Sequence, residues 1–556
     1  MLATIIQWCY LFFLTYAIGC AFSKLFGRLT GYCMKNTAAY LMTGLCALTA
    51  YVQFFSIFGK VGILANLIIL IAAILAVVYS REKIAEEAAQ KWKGDGMAVK
   101  LAAVCLFVLW AYFTSRGEMV YDTGLYHAQS IRWIEEYGVV KGLGNLHNRF
   151  AYNSSIFCLY ALFSMRFLTG GIPLHTVNGF FAFVLSLALL EPVRRRGRRD
   201  LRLSDFTRLV SFYYLTMIID EVISPSSDYG VMCVVLYIVV TWLELLENNE
   251  KSAVPYGLLC VLGVYAVTLK LTAGLILILV LKPAVKFLKE KKYKEIALFL
   301  VTGLLVALPW MVRTVIISGW LLYPLPSLDL FDFDWKMPYE LTKYDADSIK
   351  VLGRGLTSVE EIKVPVTQWF KNWFKETLSG TEKILIVSDI AALPYLLVMS
   401  VKAFCKREEK QVDVSLVALA AAASYLYWQL NAPLLRYGYA YVLLIFALGV
   451  GQLLLSWDNK TFKKTVIGVM IVFAAYKAAW MGKYIIKMDY APYYIWQRDY
   501  DRFELLENNV DGQIIYTPLS GDLTGYYQFP AAPGIHLKRR GDSLADGFLC
   551  SFIYGD

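Results

Sequence analysis

The run Ala3-Thr-Ile-Ile-Gln-Trp-Cys-Tyr-Leu-Phe-Phe-Leu-Thr-Tyr-Ala-Ile-Gly-Cys-Ala-Phe22 carries no charge. A hydrocarbon core about 30 Å thick is crossed by roughly 20 apolar residues in a helix, which is the length of this run. No basic segment precedes it and no small-residue cleavage site follows, so it reads as a retained span and not as a signal peptide. Similar runs recur through most of the 556 residues, of which 58% are hydrophobic and 18% charged. A chain of that composition has lipid as its main solvent. The formal charge of +10 sits in short loops between apolar runs, which excludes a nucleic-acid binder and leaves the bilayer as the partner. Cys9, Cys20, Cys46, Cys105, Cys233 and Cys260 fall inside spans as small apolar residues, with no CxxC pair for metal or redox chemistry. The four histidines show no metal-ligand spacing.

Orientation follows from the basic loops. Arg194-Arg195-Arg196-Gly197-Arg198-Arg199, with Arg202 and Arg208, marks a cytoplasmic loop. Lys282 to Lys294 falls on the same side, as do Lys24, Arg28 and Lys35, and Lys402, Lys406, Arg407 and Lys410. The predicted spans are 3–22, 38–58, 61–80, 98–115, 173–192, 207–223, 230–247, 254–268, 271–288, 295–317, 383–402, 412–430, 438–456 and 463–482. The fold class is therefore an all-α polytopic membrane protein of about fourteen transmembrane helices. Alternation puts both termini outside, together with loops 116–172 and 318–382 and a tail, 483–556. The tail, with strand-like Gln513-Ile-Ile-Tyr516 before Pro518 and Gly521-Asp522, predicts a small α/β or β-rich extracytoplasmic module.

Polar chemistry collects on that outer side. In Tyr121-Asp122-Thr-Gly-Leu-Tyr126-His127, the residues after Gly124 suit an amphipathic helix on the membrane surface. Ala151 to Gly170 reads as a second surface-lying or half-inserted helix. Asp122 is either the cap of the first helix or a catalytic carboxylate beside Tyr126 and His127. Asp228, in Ser224-Pro-Ser-Ser-Asp228-Tyr, opens the helix after a short outer turn and has the same two readings. Lys270, Arg313 and Arg436 sit near outer helix ends, where each must meet an anion or snorkel to headgroups. Three cations beside two acids suit a lipid-linked phosphate. The Asp329, Asp332, Asp334 and Trp335 stretch suits either a sugar or an ordinary interfacial loop.

Taken in order, the Asp122 segment, the Asp228 turn and the run Pro309-Trp310-Met-Val-Arg313 through Ser318-Gly to Tyr323-Pro324 resemble the GT-C superfamily of polytopic membrane glycosyltransferases. That superfamily includes bacterial aminoarabinose transferases and protein mannosyltransferases. The likeness covers residues 98–345 and runs more loosely through Arg436. It implies a GT-C-like core at 98–482, an N-terminal addition of extra spans at 1–97 and the C-terminal module at 483–556, because the family's first-loop acid usually follows the first span. It implies a polyprenyl-phosphate-linked sugar donor, a lipid- or polysaccharide-type acceptor, and cell-envelope chemistry on the outer face of a bacterial-type inner membrane. Asp122 would be the general base, with Glu118 as the alternative, and Asp228 would assist it or hold the acceptor or a divalent metal. Tyr126, His127, Lys270, Arg313, Tyr323 and Arg436 would bind substrate, the cations neutralising the departing phosphate. A transporter or flippase, or a polymerase or ligase of lipid-linked glycans, are the rival functions; the large outer loops fit a transporter less well.

Overall fold

The computed structural model describes residues 1–94, 96–190, 200–406, 409–457, 459–487, 493–510, 512–534 and 537–550; the Arg194–Arg199 run and Arg407 lie outside them. Each predicted span falls on a helix. The first group is α1 Leu2–Thr30, α2 Thr37–Phe58, α3 Ile63–Gly94 and α4 Met97–Thr114. After the short outer helices α5 Ala128–Tyr137 and α6 Ser155–Phe163 come α7 Val177–Leu189, α8 Leu203–Met217, α9 Ser227–Glu247 and α10 Val254–Leu269. A 3₁₀ stretch, Leu271–Val280, leads into α11 Leu281–Lys289, followed by α12 Tyr293–Ser318. Loop 318–382 carries α13 Tyr339–Gly353 and α14 Val366–Glu376, and the last long helices are α15 Gly380–Lys406, α16 Glu409–Asn431, α17 Leu435–Leu455 and α18 Lys460–Lys487. Among the described residues, ten helices are long and apolar enough to cross a membrane. The predicted spans outside that set fall on α7, α8, α10 and α16, of 13, 15, 16 and 23 residues.

The helix α9 runs through the middle of the bundle. Its stretch Val231-Met-Cys-Val-Val-Leu-Tyr-Ile-Val-Val240 is apolar on every face, and 83% of its most apolar window is buried, against 11% for the peripheral α18. A helix apolar all round needs neighbours on all sides, and α7, α8, α10 and α17 supply them. Its β-branched residues would favour strand in water. In lipid the backbone must close its hydrogen bonds locally, and helix wins. The first three helices pack in the same bundle as the later ones. Gly19 and Gly44 let α1 and α2 touch backbone to backbone, since a Cβ on either would lie 2.0 Å from a carbonyl oxygen of the other helix. Trp8 donates to Thr176 at 2.9 Å, Asn66 to the Leu162 carbonyl at 2.9 Å, and Thr49 bonds Tyr265 at 2.9 Å.

One end of the bundle is covered by a polar outer layer with its own apolar core. Trp133, Phe150, Trp320, Tyr323, Met337, Ile515 and Phe548 meet there, drawn from both outer loops and the C-terminal segment. The predicted surface helix after Gly124 is α5, and it is buried in this layer instead of lying on lipid. Gln129 donates to the carbonyls of Gly525 and Gln528 at 3.0 and 2.8 Å, and Trp133 packs edge-on against Phe529 and Phe548. Its apolar stripe, which in sequence looks like a lipid-facing one, finds protein aromatics. The helix expected within 151–170 is α6, which is buried along its whole length.

The C-terminal segment forms two antiparallel hairpins, β1 Leu505–Val510 with β2 Gln513–Pro518, and β3 Leu537–Arg539 with β4 Phe548–Cys550. The strand expected at Gln513–Tyr516 is thus present in β2. The carbonyls of Tyr494 and Ile495 accept from Leu2 N and Ala3 N at 2.9 Å, satisfying two amides that the first turn of α1 leaves open. Trp133→Ala should therefore destabilise the outer layer by about 3–5 kcal/mol, measured as a lower unfolding temperature and faster tryptic cleavage at Arg498 and Arg502.

Candidate functional site

Four chain segments bring ionisable groups to one point beneath the outer layer. Asp228 lies in the first turn of α9, where the helix N-terminus favours a carboxylate. Its predicted capping role belongs to Ser226 instead, whose hydroxyl accepts from Asp228 N at 3.2 Å. The Ser224–Ser226 turn is held by Asn178, which donates to the carbonyls of Ser224 and Ser226 at 2.8 Å each. Lys270 closes the C-terminus of α10, where a cation is favoured, and its ammonium donates to Asp228 Oδ1. Arg436 begins the turn of α17 that faces the same spot. It donates to Asp122 Oδ2, and its Nε stands 3.6 Å from Asp228 Oδ2. The order Lys270–Asp228–Arg436–Asp122 is a chain of alternating charges.

Asp122 makes no cap hydrogen bond to the helix that follows, contrary to one of its two sequence readings; Arg436 takes its carboxylate. Thr123–His127 form one π-helical turn, closed by Ala128 N–H on the Thr123 carbonyl. Such wide turns shift side chains off the regular helix path. The C-terminal segment clamps this turn from outside. Thr524 N and Gly525 N donate to the Gly124 carbonyl at 2.9 and 3.0 Å, and Tyr121 donates to Asp522.

Aromatic rings surround the charges. Lys270 Nζ lies 3.4 Å from the centroid of Tyr437, whose hydroxyl accepts from Arg436 at 3.3 Å. Tyr126 and His127 stand edge to face at 4.3 Å. Burial pushes the His127 imidazole down to about 4, although Asp122 and Asp228 pull the other way. Burial also raises the Tyr126 phenol, with the Asp122 charge adding to it. Both side chains are thus neutral near pH 7. Tyr323 reaches the site's edge through a second group: its hydroxyl donates to Asp345 at 3.0 Å, and its ring packs at 5.6 Å on Tyr152, which lies 6.0 Å from Tyr126.

Arg313 does not join the acids. It is buried and donates to Asn153 Oδ1 at 3.1 Å and to the Ser56 hydroxyl, which makes it a strut between α2, α12 and the segment entering α6. Glu118, the alternative base, is exposed, and its charge falls on Asp220. A divalent metal does not fit at Asp228. Both of its oxygens already face cations, and no three Asp, Glu, His or Cys side chains gather to ligate an ion among the described residues. Arg149, Tyr152, Asp345 and Tyr437 were not read from the sequence. Only Asp345 left a trace, as an acid three residues after Thr342 on the buried face of α13. Two cavities of about 420 and 500 Å³ open elsewhere, one among Phe12, Phe107, Phe183 and Tyr237, the other beside Ile6, Leu67 and Phe167; neither is lined by the charged cluster.

Fold and site together define a polytopic helical membrane protein with an ion-paired acid and cation cluster under a polar outer layer. The chain belongs to the DUF8201 family, a domain of unknown function whose model matches residues 1–443. That match takes in the first three helices and every member of the charged cluster. No curated protein and no solved structure matches the chain.

The His127 environment has a pH consequence. Unfolded, the ring takes up a proton below about pH 6.5, whereas folded it resists until about 4. The unfolded state binds more protons in that window, so stability falls as pH drops through it, by up to about 3 kcal/mol from this residue. Thermal unfolding at pH 7 and pH 4.5 should show a smaller acid loss for His127→Gln than for the unsubstituted protein; His147, pushed down to about 3 by burial, acts in the same sense and remains in the variant.

Proposed function

We propose that this protein is a GT-C-like glycosyltransferase. It moves a sugar from a polyprenyl-phosphate donor to a cell-envelope acceptor at the outer face of a bacterial-type inner membrane. In this reading all fourteen predicted segments span the bilayer, both termini lie outside, and the site is reached from the outer leaflet. The observation that carries it is the meeting of Asp122, Asp228, Lys270 and Arg436 at one end of the bundle, from positions more than 300 residues apart.

The chemistry balances on these groups. An acceptor hydroxyl attacks the anomeric carbon, its proton passes to Asp122, and the bond from that carbon to the phosphate oxygen breaks. The sugar leaves the donor, and polyprenyl phosphate departs with one more negative charge than the phosphodiester had. Lys270 and Arg436 are fixed cations placed where that charge grows, which favours the transition state over the ground state. The two acids and two cations of the resting cluster cancel. An arriving phosphodiester competes with Asp122 for Arg436, and as it takes over that guanidinium the Asp122 carboxylate is freed to face the acceptor hydroxyl. Asp228 holds Lys270 and Arg436 together and is the acceptor-side or structural carboxylate of the pair.

Asp122→Asn is expected to lower transfer of sugar from a polyprenyl-phosphate donor by about 10²–10⁴-fold while leaving protein level and membrane insertion intact. Normal transfer by that variant removes the base. Movement of a lipid-linked glycan across a vesicle by the purified protein, with no glycosidic bond formed, replaces the enzyme with a flippase. A long polymeric product replaces it with a polymerase.

A further inference from the structure

Arg149 sits on the short 3₁₀ stretch Asn148–Tyr152, and the next residue locks that stretch to the membrane helix α12. Asn153 donates to the Trp310 carbonyl at 3.0 Å and to Thr314 at 2.9 Å, and Trp310 donates back to the Asn153 carbonyl at 2.8 Å. The backbone under Arg149 is therefore as fixed as the bundle. One edge of its guanidinium is committed: Nη1 donates to the Tyr152 hydroxyl at 2.8 Å and lies 3.6 Å from Asp345 Oδ1. Asp345 is itself fully buried, receiving Asn148 Nδ2 at 2.8 Å, the Tyr323 hydroxyl at 3.0 Å and the Tyr152 hydroxyl. Burial lifts its carboxyl above the ordinary range despite Arg149.

The other edge is open. Among the described residues neither Nε nor Nη2 of Arg149 donates a hydrogen bond to protein, and neither is among the buried polar atoms without a partner; the side chain keeps 21% of its surface exposed. Nε–H and Nη2–H point the same way and form the side-on fork that matches two oxygens of a phosphate or carboxylate. Arg149 is linked to the charged site through aromatic rings. The Tyr152 ring, over which the Arg149 guanidinium lies at 5.5 Å, packs against Tyr126 at 6.0 Å. The Arg149 charge is felt at Tyr126 and Tyr437, the rings next to Asp122, Lys270 and Arg436.

We propose that Arg149 is a third cation of this site, which grips the donor's phosphate through its Nε and Nη2 edge, with Asp345 as its positioning residue. It takes the place that sequence reasoning gave to Arg313. The identity of the anion as a lipid-linked phosphate rests on the proposed function; the presence of an oxyanion fork rests on the Arg149 geometry alone.

The test is binding to the purified full chain in neutral detergent, with farnesyl phosphate, farnesol and inorganic phosphate as probes. Arg149→Gln should weaken farnesyl phosphate by about tenfold or more and leave farnesol unmoved. Asp345→Asn should shift the same ratio of phosphate to alcohol affinity, whereas a loss of packing alone would move both probes together. Unchanged farnesyl phosphate binding in Arg149→Gln, with a loss in Arg436→Gln, overturns the assignment of Arg149 and leaves the proposed function standing. No loss in either variant overturns both. Inorganic phosphate bound as tightly as farnesyl phosphate makes the ligand a free anion and removes the lipid-linked donor. If Arg149→Gln fails to fold, Arg149→Lys decides: it keeps the charge and loses the fork, so a loss of about threefold or more supports the proposal and none overturns it.

Discussion

At one end of the helical bundle, one guanidinium lies between two carboxylates while an ammonium holds the second carboxylate from its other side. The Asp228 side chain is only 4% exposed, so water screens it little. An isolated carboxylate in such a place would be costly, several kcal/mol after relaxation. Lys270 and Arg436 offset that cost only by being held at the correct ends of α10 and α17. The reverse also holds, because a cation at those helix ends without an anion would be driven to headgroups. The ion chain therefore ties the ends of α9, α10 and α17 to the first outer loop. Removing Lys270 or Arg436 takes a counter-charge from the buried Asp228, and the loss of one partner from such a buried pair typically costs about 3–5 kcal/mol.

The outer layer is the second half of this constraint. Asp122 is bonded from the membrane side by Arg436, and the turn that follows it is bonded from the outside by Thr524 and Gly525. Its carbonyl and carboxylate neighbourhood is thus set by segments 300 to 400 residues away in the chain. The Glu135 carboxylate reinforces the same junction. It accepts from the Tyr526 hydroxyl at 2.5 Å and lies 3.5 Å from His175, whose other ring nitrogen bonds Tyr500 at 2.5 Å. The C-terminal segment lies wholly beyond the 1–443 family match, yet it covers the candidate site.

Much of the architecture was legible because lipid imposes a simple rule. Apolar runs of the right length must be helices, because lipid offers the backbone no other hydrogen-bond partners. Every predicted span lies on a helix for that reason, including the four outside the set that is long and apolar enough to cross a membrane. Surface character was less legible. The apolar stripe of α5 is the same whether it meets lipid or the rings of Phe529 and Phe548, and periodicity alone cannot tell these apart. The charged site was legible in part because Asp122, Asp228, Lys270 and Arg436 stand at the ends of apolar runs, where an ion needs a reason. Arg313 gives the same signal for a different reason: its partners are the neutral Asn153 and Ser56, and its place is structural.

Arg149 and Asp345 mark the limit of such reading. They lie 196 positions apart, in loops where charged residues are ordinary, and neither breaks an apolar run. Their meaning comes only from closure of the two outer loops on each other. Once closed, Asp345 uses its lone pairs on Asn148, Tyr152 and Tyr323 and holds Arg149 by one edge of the guanidinium. A turn of Arg149 away from this position would break its Tyr152 hydrogen bond and its 3.6 Å contact with a buried carboxylate. The geometry thus separates two kinds of arginine in this protein. Arg313 is enclosed by neutral acceptors and links helices, whereas Arg149 and Arg436 pair with carboxylates and keep 21% and 29% of the side chain exposed.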